Sequence, residues 1–155
     1  MKKSFDILCK LITTLCFIGY FPIAPGTFAS IIFSLVWFFT KRSILYYAIT
    51  FLVLLLGFIF TGYSGRNVFK NSDPKEIVID EASGILVAFL GFSSEKSFYT
   101  LISGILLFRA FDIFKPFPIN KIEKIGGSAG IMLDDIFSGV IANALLHLLV
   151  RFVFK

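Results

Sequence analysis

Between Leu107 and Gly139 the chain reads LFRAFDIFKPFPINKIEKIGGSAGIMLDDIFSG. The cations Arg109 and Lys115 and the carboxylates Asp112, Asp134 and Asp135 lie there in largely apolar surroundings. A second acid pair, Asp80-Glu81, opens another apolar segment. Charges are costly to bury, so each of these asks for a partner or a ligand. Read together, they form one site for a metal ion and a phosphate group at a membrane surface.

The two acid pairs are the candidate metal ligands. Neighbouring helical residues point about 100° apart, so both members of a pair can line one crevice without sharing one ligand position. Asp134-Asp135 sits near a second helix start, where the macrodipole favours anions. Asp135, Gly139 and Asn143 then follow on one helical stripe, with Gly139 admitting a close neighbour. Two acid pairs brought together repel unless a cation lies between them. Hard oxygen donors with no usable His or Cys nearby favour Mg²⁺, held by Asp80, Glu81, Asp134 and Asp135.

Arg109, Asp112 and Lys115 recur at a spacing of three. A simple intrahelical pair between Arg109 and Asp112, with Lys115 snorkelling from the segment end, accounts for them structurally. The functional alternative makes Arg109 a forked phosphate clamp oriented by Asp112, with Lys115 as a second cation. Gly126 to Gly130 then offers backbone N–H groups, Gly127 among them, at the start of the last helix as an anion site. The chain contains no Cys-x5-Arg thiol-phosphatase motif and no aspartyl-phosphate signature. Its sole histidine, His147, lies three turns beyond Asp135 inside an apolar segment. Water activated by a metal ion is therefore the most economical nucleophile.

The elements that must position these residues are apolar. The 155 residues are 57 % hydrophobic, against roughly 45–50 % apolar residues in soluble domains. Mean hydropathy is +0.87, and only 16 % of the chain is charged. Residues 1–155 form one compact unit, integral to or deeply embedded in a membrane, with room for about six helices. The net charge of +5 comes from basic residues in no stripe or run, which argues against nucleic acid and for anionic lipid head groups. Cys9 and Cys16, seven apart, suit neither an intrahelical disulfide nor a metal site and read as small apolar residues.

Residues 4–21 predict an amphipathic helix lying in the membrane interface, with Asp6 and Lys10 on one side. Phe21 to Gly26 breaks it, and Thr27 is placed to cap the next helix. Apolar segments follow at 28–40, 44–63, 77–92, 98–114 and 131–154, of which 44–63 has the length a bilayer requires. Were all five to cross, loops 22–26, 65–77 and 115–130 would share one side. Ten of the fifteen cations would lie there, which points that side to the cytoplasm.

Four stretches, taken together, resemble the phosphatidylglycerophosphatase A family: Gly19–Thr27 (GYFPIAPGT), Asp73–Gly84 (DPKEIVIDEASG), Phe108–Ile119 (FRAFDIFKPFPI) and Gly126–Asn143 (GGSAGIMLDDIFSGVIAN). They occur in family order, and the last two are the most specific. Phe21 departs from the small residue expected there. The resemblance implies an all-α bundle of about five or six helices in the bacterial inner membrane. It further implies a Mg²⁺-dependent phosphatase that converts phosphatidylglycerophosphate to phosphatidylglycerol and phosphate, and it leaves room for a homo-oligomer. Asp80, Glu81, Asp134 and Asp135 would hold metal; Arg109 and Lys115 would hold phosphate, with Asp112 orienting Arg109. A CDP-alcohol phosphotransferase would need an Asp-Gly-x-x-Ala-Arg signature that the chain lacks. A non-enzymatic membrane scaffold, its buried charges locking helices together, is the other alternative.

Overall fold

In the computed structural model, residues 2–40, 42–71, 74–92 and 97–153 are described. Their regular structure is all helical, with no strand among the described residues. Seven α-helices follow in order: α1 (Lys2–Thr13), α2 (Pro25–Phe39), α3 (Ser43–Tyr63), α4 (Ile79–Ala88), α5 (Phe98–Phe114), α6 (Ile119–Ile122) and α7 (Gly127–Phe152). The predicted segments are recognisable, and α6 is a single extra turn inside the loop expected at 115–130.

The shortest of the main helices is the hub. In α4 every residue is buried except Glu81, which is partly so. Helices α2, α3, α5 and α7 pack around it, most extensively α7. Small residues set the closest approach. A Cβ on Gly139 would lie 2.2 Å from the Gly84 carbonyl oxygen, and one on Gly84 would lie 2.6 Å from that of Asp135. The two backbones therefore touch. Farther along, Asn143 Nδ2 donates to the carbonyls of Ala88 (2.9 Å) and Leu90 (2.8 Å), satisfying the open end of α4. Trp37 of α2 stacks on Phe89 with centroids 4.2 Å apart, and its Nε1–H donates to Phe92 O. This closes the aromatic end of the core.

Several boundaries differ from the sequence expectation. The first helix ends at Thr13 rather than near residue 21, because Leu15, Cys16 and Phe17 all take positive φ. Asp6 and Lys10 do not pair: Asp6 accepts from Tyr63 Oη (2.8 Å), and Lys10 lies over the Tyr20 ring. Phe5, Ile7, Leu8 and Leu11 of α1 stay exposed, leaving its apolar face outward. Thr27 does not cap α2; Ala24 holds that position with φ 48°, and Pro25, whose missing N–H costs nothing there, begins the helix. The last helix begins at Gly127 instead of Ile131, so most of the glycine turn is its first turn. Both cysteines are free. Two helical stretches, 43–69 and 127–152, are long and apolar enough to cross a membrane, and α4, about 15 Å long, is not. Five complete crossings are therefore not what helix length supports. The turn at Ser72-Asp73, the polar turn at 93–96, and Lys41, Lys96 and Lys155 lie outside the described residues.

Candidate functional site

Helices α4 and α7 run side by side from a common end. Asp80, Gly84 and Ala88 on one match Asp135, Gly139 and Asn143 on the other, all at four-residue steps. Because the glycines touch, the acids one turn earlier are forced together. Carboxylate oxygens of Asp80, Glu81 and Asp135 lie within 4.8 Å of one another. Each acid pair repeats one local device. Asp80 Oδ1 accepts from the Glu81 amide (3.1 Å), and Asp134 Oδ1 accepts from the Asp135 amide (3.0 Å). The second carboxylate of each pair is thereby left free to turn elsewhere.

Asp134 is buried and faces a different partner. Lys115 Nζ lies 2.7 Å from Asp134 Oδ2 and 3.0 Å from Glu123 Oε1. Burial works against the charged ammonium, but the hydrogen bonds and charges of Asp134 and Glu123 outweigh it and hold Lys115 above the ordinary lysine range. On α4, burial foremost and then the neighbouring Glu81 charge push the Asp80 carboxyl well above its usual range. Burial pushes Glu81 up as well. The Glu81 Oε2 atom is wholly buried and has no hydrogen-bond partner among the described residues. An unpartnered buried carboxylate oxygen beside two more carboxylates is a strained arrangement unless a cation shares it.

Arg109 stands on α5 in the last turns before the site. Its guanidinium forms an ion pair with Asp112, while its buried Nε finds no hydrogen-bond partner among the described residues. The structural reading of an intrahelical Arg–Asp pair is thus met, and a donor remains to spare. Lys115 itself closes α5 in the left-handed region (φ 40°), which folds the chain back so that its ammonium reaches α7. Ala24 is left-handed too. The two residues line the two cavities that flank the acids.

Two cavities meet at Asp80 and Glu81. The larger, about 570 Å³, is walled by both acid pairs, Asp112, Lys115, Glu123 and Lys124, with Gly126 and Gly130 at the start of α7. Gly127 is exposed beside them with φ 63°. The smaller, about 270 Å³, lies across Glu81 and Arg109 and is walled by Ala24, Pro25, Gly26, Pro74 and Lys75. The three loops expected on one side, 22–26, 65–77 and 115–130, therefore do meet around the acids.

Of the predicted residues, Asp80, Glu81 and Asp135 converge, Asp134 and Lys115 pair on the adjoining wall, and Arg109 with Asp112 stands across Glu81. His147 lies against Phe92 and Gly91, beside the far end of α4. Two residues escaped the sequence reading. Glu123 was hidden as an ordinary loop acid, and its only signal was its place among the basic residues of 115–124. Gly26 supports Glu81, since a Cβ there would fall 1.8 Å from Glu81 Oε1. The GYFPIAPGT stretch thus has a definite part: its last glycine lets the first turn of α2 close over an acid of α4.

An apolar all-helical chain with carboxylates and cations gathered at one end agrees with its relatives. The family model described as Phosphatidylglycerophosphatase A matches residues 11–150. A Bacteroides thetaiotaomicron protein, provisionally named a phosphatidylinositol-3-phosphatase, is 32 % identical over 136 residues, covering 83 % of this chain and 84 % of its own. The phosphatidylglycerophosphatase A of Escherichia coli is 30 % identical over 133 residues, covering 83 % and 76 %. That of Haemophilus influenzae is 38 % identical over 71 residues, covering 45 % and 43 %. No solved structure matches the chain significantly. With phosphatases as its relatives, neither a phosphotransferase nor an inert scaffold describes it. The chain belongs to the phosphatidylglycerophosphatase A family, a membrane-associated family, and is a phosphatase.

Proposed function

We propose that the protein hydrolyses the terminal phosphate of phosphatidylglycerophosphate, using Mg²⁺, to give phosphatidylglycerol and inorganic phosphate. The observation that carries this reading is the convergence of Asp80, Glu81 and Asp135, with a buried Glu81 oxygen that has no partner among the described residues, beside Arg109 and Lys115. The donors are all hard carboxylate oxygens, which fits Mg²⁺ better than a softer metal. Asp80, Glu81 and Asp135 would hold the ion, with Asp134 beside them on the cavity wall. Bound there, Mg²⁺ would neutralise the acids and activate water for attack on phosphorus.

The rest of the chemistry belongs to the chain. Arg109 offers its unpartnered Nε to a phosphate oxygen, while Asp112 fixes the guanidinium plane. Lys115, kept charged by Asp134 and Glu123, supplies a second positive group on the other side of the acids. Gly127 adds a backbone N–H at the positive end of α7. Burial of the acids in a low-dielectric wall strengthens each of these interactions relative to water.

The site is assigned to the cytoplasmic face of the bacterial inner membrane, in a multi-pass arrangement. Supporting this are the two long apolar helices, with only 28 % and 33 % of their most apolar windows buried, and the excess of cations around the motif-bearing loops. Anionic lipids would gather at the same rim.

A second monoester, phosphatidylinositol 3-phosphate, is favoured by the name of the Bacteroides relative alone. Phosphate release by purified protein decides between them, with phosphatidylglycerophosphate, phosphatidic acid and phosphatidylinositol 3-phosphate compared with and without Mg²⁺. Mg²⁺-dependent release, fastest from phosphatidylglycerophosphate, is the expected result. Faster release from the inositol lipid selects the second reading. Asp135→Asn should abolish turnover in a folded protein, and full activity in that variant would remove the acid site from the mechanism.

A further inference from the structure

A third cavity lies away from the polar site. It is a groove of about 340 Å³ between α2 and α5, formed by Ile31 and Leu35 on one helix and Leu101, Ile102, Ile105 and Leu106 on the other. Its size falls in the range of small-ligand pockets, roughly 300–1,000 Å³. The one polar residue of its wall, Ser34, turns its hydroxyl to Ile31 O (2.7 Å), so the groove offers no free donor. Leu101 is buried and makes the floor, while Ile31, Leu35, Ile102 and Leu106 are exposed along its length.

The groove and the smaller polar cavity lie along the same two helices, α2 and α5. On α5, Ile102, Ile105 and Arg109 fall seven, four and zero residues from the guanidinium, one stripe of an α-helix. On α2, Gly26, Ser30 and Ser34 are spaced by four, with Ser30 Oγ donating back to Gly26 O (2.8 Å). Gly26 and Arg109 wall the smaller polar cavity, and the groove is walled by the turns after Gly26 on α2 and before Arg109 on α5. Passing from Arg109 to Phe98 covers about 16 Å of helix. The two helices thus carry a polar cavity at one end and an apolar groove farther along, the polarity order of a phospholipid.

We propose that one acyl chain of the lipid substrate lies in this α2–α5 groove, holding the phosphate ester at Arg109 and the acids. The proposal rests on the lipid phosphatase reading above and adds to it the surface that distinguishes a membrane lipid from a soluble phosphate ester. An occupant of this kind needs no hydrogen bond from the groove and leaves its own head group at the groove's polar mouth. A folded protein partner would meet only a narrow slot here, with nothing polar to fix it.

Bulk introduced from the groove's rim tests this. Leu35→Trp and Ile102→Trp both start from exposed side chains, so the core is spared, and melting temperatures check that it is. For each, kcat/KM is measured on long-chain phosphatidylglycerophosphate and on its short-chain analogue. The long-chain to short-chain ratio is expected to fall tenfold or more, mainly through KM, and Ile102→Leu should restore it. An unchanged ratio would mean that the groove holds only boundary lipid, and the proposal is lost. A separate arm needs no turnover: phosphatidic acid with a photoreactive group at the end of one acyl chain should label the 98–106 segment in the parent protein and not in Leu35→Trp. Absence of that labelling overturns the groove whatever the substrate is. Labelling without phosphate release from phosphatidylglycerophosphate would instead count against the phosphatase substrate assigned above.

Discussion

Three carboxylates gathered within 4.8 Å, one with a buried oxygen that no described residue satisfies, are an arrangement that works against the fold when no cation is present. Function and stability are therefore opposed at these residues. Asp80→Asn should raise the melting temperature of the metal-free protein, because it removes a buried like charge. The same change should lower phosphate release by about 100-fold or more, since a ligand is lost outright. It should also shrink the rise in melting temperature expected from Mg²⁺ binding at the proposed site. For the parent protein that rise corresponds to about 2.7 kcal/mol at a hundred times the dissociation constant. Thermal scans with and without Mg²⁺ check both signs, and a destabilised metal-free Asp80→Asn would contradict the cost assigned to the acid cluster. These residues were legible in the sequence because a charge in an apolar stretch announces itself. Their division into a converging trio and a Lys115-bound Asp134 was not, because it depends on which way each carboxylate turns.

Contact between elements is what sets that direction. Gly139 and Gly84 carry α4 and α7 against each other, and the site exists because the acids lie one turn before the contact. Gly139→Ala puts a methyl group 2.2 Å from a backbone oxygen that cannot swing aside. It should cost about 1–3 kcal/mol and reduce activity together with stability, as denaturation midpoints and phosphate release will show. Gly26→Ala presents a different case. Its methyl group meets the end of the Glu81 side chain, which can rotate away. The melting temperature should then move little while activity falls, so the two variants separate a packing glycine from a positioning one. The sequence already suggested that Gly139 admits a close neighbour. Nothing local in it joined Gly26 to Glu81, which are brought together only by the packing of α2 on α4.

Over the whole molecule, polar groups collect at one end and apolar side chains cover the outside. Phe39, Ile44, Phe51, Phe114 and Phe152 are each more than two-thirds exposed, which a water-facing surface would not readily tolerate. Cysteine placed at Lys121 in a Cys16→Ser background should react with a membrane-impermeant thiol reagent in inverted membrane vesicles and not in spheroplasts. The opposite pattern would reverse the orientation. At this scale counting segments put the three motif-bearing loops on one side only by supposing five crossings, whereas it is packing around α4 that brings them to adjoining cavities. The number of crossings did not follow from that count, because a helix such as α4 can be wrapped by its neighbours and never traverse the bilayer.

The sequence by itself determined the class of the chain and the chemistry available to it. Apolar content demanded burial in lipid or in a helical core, and the acids and bases set within it had to be satisfied by one another or by a ligand. Four motif stretches also sufficed to reveal the family. Tertiary structure alone decided which acids converge, what Lys115 holds, and why α4 is the centre of the bundle. The physical reason is range. Composition and periodicity act along the chain over a few turns, whereas a carboxylate's partner is chosen by helices brought together through glycines more than fifty residues apart.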